Sequence, residues 1–223
     1  MNEIATHIAQ LKKQLPEDVK LLAVSKYHPK EAIMEAYQAG QRLFGESRVQ
    51  EMTEKWESLP KDIEWHFIGH IQTNKIKYMI PYVSLIHGVD SLYLLSEINK
   101  QAQKVNRVVR CLLQLHVAKE ETKFGFTFDE CREMLTGGAW KDLKNIQITG
   151  IMAMASNTDD EVVVRQEFQS VNSFFQEIKA DYFATQNEFC EVSMGMSHDY
   201  PLAIEEGSTL IRVGTFIFGD RVY

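Results

Sequence analysis

Residues 20–40, KLLAVSKYHPKEAIMEAYQAG, read as one strand, one turn and one helix. Leu21 to Val24 is an unbroken apolar run. That is how a strand buried on both faces of a parallel sheet reads. Pro29 and Gly40 bracket 29-PKEAIMEAYQAG-40, the residue types expected at a helix start and just past its end. The same unit recurs along the chain. Short apolar runs predict strands at 20–26, 42–47, 63–69, 83–89, 108–117, 146–154, 188–194 and 209–215, with helical patterns such as 90–103 and 159–180 between them. Eight units in 223 residues give ~28 residues each, near the ~30 of a βαβ step. Eight such units close into an α/β fold, the (β/α)8 TIM barrel, with residues 2–15 as an extra N-terminal helix. No GxGxxG follows the first strand, which argues against an open doubly wound sheet. No Ser/Gly/Pro-rich linker interrupts the rhythm, so residues 1–223 are expected to form a single domain.

The charge balance narrows the function. Lys+Arg is 24 against 31 Asp+Glu, a net −7, which argues against non-specific nucleic-acid binding. No apolar run reaches the ~18 residues of a membrane span, and the N-terminus lacks the apolar core of a signal peptide, so a cytoplasmic location is expected. Cys111, Cys131 and Cys190 form no CxxC pair; three buried reduced thiols are expected. His66 and His70 are four apart, a metal spacing on a helix, but they fall on a strand and the turn after it, so no metal site is expected. Lys119 and Lys123 read as a solvated loop, and 159-DDE-161 suits the N-terminus of the helix that follows.

In a barrel, functional groups gather at the C-terminal ends of the strands. Lys26 follows an apolar strand there, where poor hydration lowers an amine pKa and exposes a nucleophile. The competing reading is a solvated lysine that snorkels outward. The turn 193-SMGMS-197 offers Ser193 and Ser197 to a phosphate, with Ser197 also expected as N-cap of the next helix. Gly214 and Thr215 in 211-IRVGTFIFG-219 add a close backbone approach and a hydroxyl, in the loops where barrels often hold phosphate. Arg212, inside an apolar strand, requires an anion or acceptor partner. A lysine nucleophile beside a phosphate cradle suggests pyridoxal 5′-phosphate (PLP) held as a Schiff base, although sugar-phosphate aldolases share that logic.

These stretches also carry a resemblance. The segments 22-LAVSK-26, 40-GQRLFGESRVQE-51, 65-WHFIGHIQTNK-75, 121-ETKFGF-126, 149-TGIMAM-154, 193-SMGMSHD-199 and 211-IRVGTFIFG-219 resemble the pyridoxal phosphate homeostasis protein family, also called the YggS/PROSC family. The resemblance implies a barrel similar to the N-terminal domain of alanine racemase. It implies PLP on Lys26, its phosphate against Ser193, Ser197, Gly214 and Thr215, Met154 near the ring, and Arg212 facing the pyridine nitrogen. An arginine there stays protonated and weakens the ring as an electron sink. The family pattern GEN reads Gly45-Glu46-Ser47 here, so Ser47 would orient the lysine or cofactor with a shorter reach; HSVD reads 87-HGVD-90.

Two functions are compatible with these residues. One is a PLP carrier in intracellular vitamin B6 homeostasis with little or no turnover. It would be a monomer without the second domain and tyrosine base of the racemases, with PLP-dependent apo-enzymes as recipients. The other is a stand-alone PLP-dependent racemase or related amino-acid enzyme, using Lys26 as proton shuttle and donors such as His70 and Tyr27.

Overall fold

The computed structural model describes residues 3–118 and 124–220. Lys119, Lys123 and the first half of the 121–126 segment lie outside them. The strands are β1 (Lys20–Val24), β2 (Leu43–Glu46), β3 (Glu64–Phe67), β4 (Leu85–Val89), β5 (Val109–Leu115), β6 (Ile146–Ala153), β7 (Glu191–Ser193) and β8 (Leu210–Val213). All neighbours run parallel, and β1 pairs with β8, so the sheet closes into a barrel in sequence order. The helices are α1 (Glu3–Gln14), α2 (Lys30–Gln38), α3 (Val49–Ser58), α4 (Ile76–Met79), α5 (Leu92–Lys104), α6 (Phe128–Gly137), α7 (Glu161–Tyr182), α8 (Tyr200–Glu205) and α9 (Thr215–Phe218). Among the described residues, no helix is long and apolar enough to cross a membrane.

Local signals explain the boundaries. Pro29 is the residue before α2, and Gly40 takes φ +83 just past its end, a conformation that a Cβ disfavours. Asp160 caps α7, accepting from the Val162 and Val163 N–H groups, so the acidic run does suit that N-terminus. Some expected strands are too long. Strand β1 stops at Val24, and Ser25 to Tyr27 form a turn in which Tyr27 has φ 68. Strand β7 covers only Glu191–Ser193, because its register with β8 is a single pair, Ser193 with Leu210.

The core has two parts. Side chains such as Leu21, Ala23, Phe44, Trp65, Phe67, Ile86, Ile151 and Ile211 form the larger cluster, between strands and helices. Leu22, Leu85, Leu112, Met152 and Leu210 pack against one another inside the barrel. Alternation along β1 therefore sends Leu22 and Val24 inward. Strand β6 departs from simple alternation. Cys111 pairs with Ile148 but Leu112 pairs with Gly150, so Thr149 is an extra residue. Gly150 has φ +154, and a Cβ there would lie 1.9 Å from the Glu191 carbonyl oxygen. This bulge switches the strand's phase: Ile146 and Ile148 face the helices, whereas Met152 and Met154 face the barrel interior. Of the cysteines, Cys111 and Cys131 are buried, but Cys190 is exposed; it follows the buried Phe189 in the turn before β7, outside both core layers.

Candidate functional site

At the C-terminal ends of the strands a cavity of about 210 Å³ is lined by Lys26, Met154, Ser197, Arg212, Gly214 and Thr215, with Val24, His28, Ile68, Met152, Met196 and His198 completing its wall. Six of the eight sequence-derived candidates thus meet in one place. Their donors differ in kind. Lys26 supplies an amine, Ser197 and Thr215 supply hydroxyls, and Arg212 supplies a guanidinium, while Ile68, Met152 and Met154 supply apolar surface. An aldehyde, a phosphate, a pyridine nitrogen and a flat ring match those four chemistries in turn. Close packing also shapes the cradle: a Cβ on Gly214 would lie 3.1 Å from the Val24 carbonyl oxygen, and Gly195 takes φ +92 against Tyr200 and Ala203.

Two candidates sit elsewhere. Ser47 lines a neighbouring cavity with Arg48, Phe67, His70 and Lys75, because it lies past the end of β2 on the approach to α3. Ser193 is wholly buried beneath the cavity, with its hydroxyl engaged by Arg212 and His87. Ser193 is not among the residues that line the cavity, and its hydroxyl holds Arg212. Ser197 is not the cap of α8; Asp199 occupies that position, and the Ser197 hydroxyl instead accepts the Gly214 N–H at 3.3 Å. This bond ties the β7 and β8 loops together. His70 is half-exposed at the rim, stacked on Phe124 at 3.9 Å, away from His66; among the described residues no group of His, Cys, Asp and Glu is placed to hold a metal.

Arg212 is fixed from behind. Its Nη1 donates to the Ser193 carbonyl and hydroxyl oxygens, both at 2.7 Å, and its Nη2 donates to the Ala153 carbonyl at 2.9 Å. These bonds leave Nε and one Nη2 hydrogen for the cavity. Burial lowers its pKa to about 10, so it still carries its charge at neutral pH.

Below Arg212 a polar chain runs down the barrel. His87 Nδ1 lies 3.1 Å from the Ser193 hydroxyl, and His87 Nε2 lies 3.0 Å from His66 Nδ1. Arginine can only donate, so the Ser193 hydroxyl accepts from it, and the chain continues through His87 to His66. Sequence reading missed this chain because its members are 21 and 106 residues apart and meet only when the barrel closes.

Both imidazoles are neutral. Burial, then the Arg110 and Lys20 charges, push His66 down to about 3; burial, then its neighbours His66, Arg212 and Arg110, hold His87 well below the usual range. Unfolded histidines titrate near ~6.5, so below that pH the unfolded chain binds protons that the folded chain refuses. The stability present above ~6.5 is lost as pH falls toward the folded values, at up to ~1.4 kcal/mol per pH unit for each histidine. Glu46, raised to about 7 chiefly by burial, works in the opposite direction, because its folded carboxyl keeps a proton that the unfolded one releases. Two histidines outweigh one carboxyl. Denaturant titrations at about pH 5 should therefore give a lower unfolding free energy than at about pH 6.5. Equal values would show that the histidine pair is not buried and neutral.

A larger hollow, about 600 Å³, lies at the opposite end of the barrel. Its buried acid, Glu191, is already paired with Lys20 and with Arg110, so this end reads as a structural ion cluster.

Comparison with known proteins places this architecture. The chain belongs to the family of the alanine racemase N-terminal domain, whose model matches residues 1–222. Within it, the chain groups with the pyridoxal phosphate homeostasis proteins. It is 40% identical to the protein of that name from Aquifex aeolicus over 205 residues, 92% of this chain and 88% of the relative. It is 38% identical to that of Vibrio alginolyticus, over 93% of this chain and 89% of the relative. The structure of PipY from Synechococcus elongatus with PLP bound superposes with a TM-score of 0.87 at 38% identity, covering 97% of this chain and all of PipY. An alanine racemase from Clostridium difficile, at 16% identity, shares the barrel fold, with a TM-score of 0.77 over 98% of this chain and 56% of the racemase.

Proposed function

We propose that this chain is a PLP-binding protein of intracellular vitamin B6 homeostasis, acting in the cytoplasm as a single barrel domain and a monomer. In this reading PLP is held on Lys26 as a Schiff base and passed on to PLP-dependent apo-enzymes. The observation that carries the reading is the convergence of Lys26, Arg212, Ser197 and Thr215 on one cavity. The relatives' names and the PLP bound to PipY support it.

Each residue has a distinct task. When bound, the cofactor supplies an aldehyde open to amines and a ring that can draw electrons. Lys26 would present its amine from the turn that follows β1. Ser197 and Thr215, with the backbone at Gly214, take the phosphate. Ile68, Met152 and Met154 keep water from the ring. Arg212 would donate one hydrogen bond to the ring nitrogen and keep its own proton, which would leave that nitrogen unprotonated. Amino-acid turnover is therefore low or absent. Borohydride treatment of the PLP-loaded protein, followed by peptide mass spectrometry, should place a reduced pyridoxyl group on Lys26. A protein that stays colourless with added PLP would refute the reading.

The alternative, a stand-alone amino-acid enzyme, draws on His28 and His198, which line the same cavity and could move a proton. Rapid racemisation of alanine or serine by the pure protein would favour it.

A further inference from the structure

Both flanks of Lys26 are tied to a buried ion cluster outside the cavity. Lys55, on α3, is buried among polar groups, and its ammonium has three hydrogens. Nζ donates to the Ser25 carbonyl at 2.9 Å, to Glu46 Oε1 at 2.8 Å and to Glu51 Oε1 at 2.7 Å. The Ser25 hydroxyl donates to the same Glu46 oxygen at 2.6 Å. On the other side of the lysine, the Tyr27 N–H donates to Glu51 Oε1 at 2.8 Å. Residues 25 and 27 are thus anchored to Glu46 and Glu51, two carboxyl groups that converge on the Lys55 ammonium.

The turn needs that anchoring. Tyr27 holds φ 68, a left-handed conformation that a residue with a Cβ disfavours. The peptide between Lys26 and Tyr27 therefore needs contacts to hold it, and the Glu51 carboxylate meets its N–H directly. The cluster is also costly to build. Glu46 is wholly buried, and its second oxygen, Oε2, has no hydrogen-bond partner. A cluster that only stabilised the fold would be served as well by apolar side chains. One that fixes a backbone turn needs acceptors and donors at these positions.

We propose that Lys55, Glu46 and Glu51 are positioning residues for Lys26: together they hold the Ser25–Lys26–Tyr27 turn so that the Lys26 amine enters the cavity at a fixed place. None of Lys55, Glu46 and Glu51 is among the residues that line the cavity. The cluster should therefore govern how fast Lys26 captures PLP and leave reversible binding of PLP unchanged. The inference rests on the reading that Lys26 holds the cofactor.

The test separates the two ideas. Glu51→Ala removes the Tyr27 contact from a partly exposed helix position, so the fold should survive; Glu51→Gln keeps an acceptor oxygen. The rate of covalent capture is read by quenching with borohydride at intervals and measuring the pyridoxyl mass on Lys26. Reversible binding is read by fluorescence titration with PLP of Lys26→Ala, with and without Glu51→Ala. Glu51→Ala should slow capture about tenfold or more, Glu51→Gln should recover most of that loss, and the two titrations should agree. Lys55→Met should slow capture at least as much in whatever fraction unfolds cooperatively. Capture by Glu51→Ala at the wild-type rate would overturn the inference while leaving the proposed function intact. Equal loss of reversible binding would also overturn it, because the cluster would then shape the whole site. Failure of the wild-type protein to trap PLP on Lys26 would remove the proposed function itself, and this inference with it.

Discussion

Lys26→Ala should abolish the borohydride-stable pyridoxyl adduct completely while leaving cooperative unfolding in place. Lys26 lies past the end of β1, at the cavity wall, and is not among the buried core residues. Truncating such a side chain usually changes stability by no more than about 0.5 kcal/mol. Reversible binding of PLP should persist but weaken, because Ser197, Gly214, Thr215 and Arg212 are untouched. The measurement is intact mass after reduction, alongside a denaturation curve. An adduct of undiminished yield in the variant would place the reactive amine on another lysine. Loss of cooperative unfolding would show that Lys26 is part of the scaffold.

Arg212→Ala should damage both stability and binding. The guanidinium is buried and gives hydrogen bonds to the Ser193 carbonyl, the Ser193 hydroxyl and the Ala153 carbonyl. Removing it strands two carbonyl oxygens inside the barrel, at ~1–3 kcal/mol each. Relief from holding a buried charge offsets part of that loss. A net cost of about 2–4 kcal/mol is expected, which lowers the melting temperature by roughly 5–15 °C in a chain of this size. PLP affinity, measured well below the melting transition, should fall by about tenfold or more, the value of one charge-assisted hydrogen bond. Arg212→Lys keeps the charge but not the fork, so it should recover little of either loss. Unchanged affinity in the alanine variant would remove Arg212 from the ring nitrogen.

The barrel and most of the cavity were legible because their signals are local. Apolar runs at regular spacing mark the strands, Pro29 and Gly40 mark the ends of a helix, and Asp160 marks the start of α7. The apolar run that ends at Val24 marks where the strand stops, so it puts Lys26 at the mouth, although the direction of its side chain is set by the turn. Arg212 needed an acceptor partner, and it has three. Other features gave weaker signals. Glu51 and Lys55 are four apart, a visible helical pair, but nothing local shows that Ser25, Glu46 and Tyr27 share it. Ser47 was placed at the cofactor by family pattern and Ser193 by the turn it shares with Ser197, and the structure puts one beside the cavity and the other beneath it.

By itself, then, the sequence determined the class of fold, the eight strands and the presence of Lys26, Ser197, Arg212, Gly214 and Thr215 at one end of the barrel. These follow from side-chain periodicity and chain punctuation, which act over a few residues. The tertiary structure alone decided which polar groups meet. The bulge at Thr149 and Gly150 turns Met152 and Met154 toward the interior, because the Glu191 backbone approaches too closely for any Cβ there. The chain from His66 to Arg212 forms only when β3, β4, β7 and β8 close around a common axis. Hydrogen bonds between residues so far apart in sequence depend on register and closure, and no local pattern encodes either.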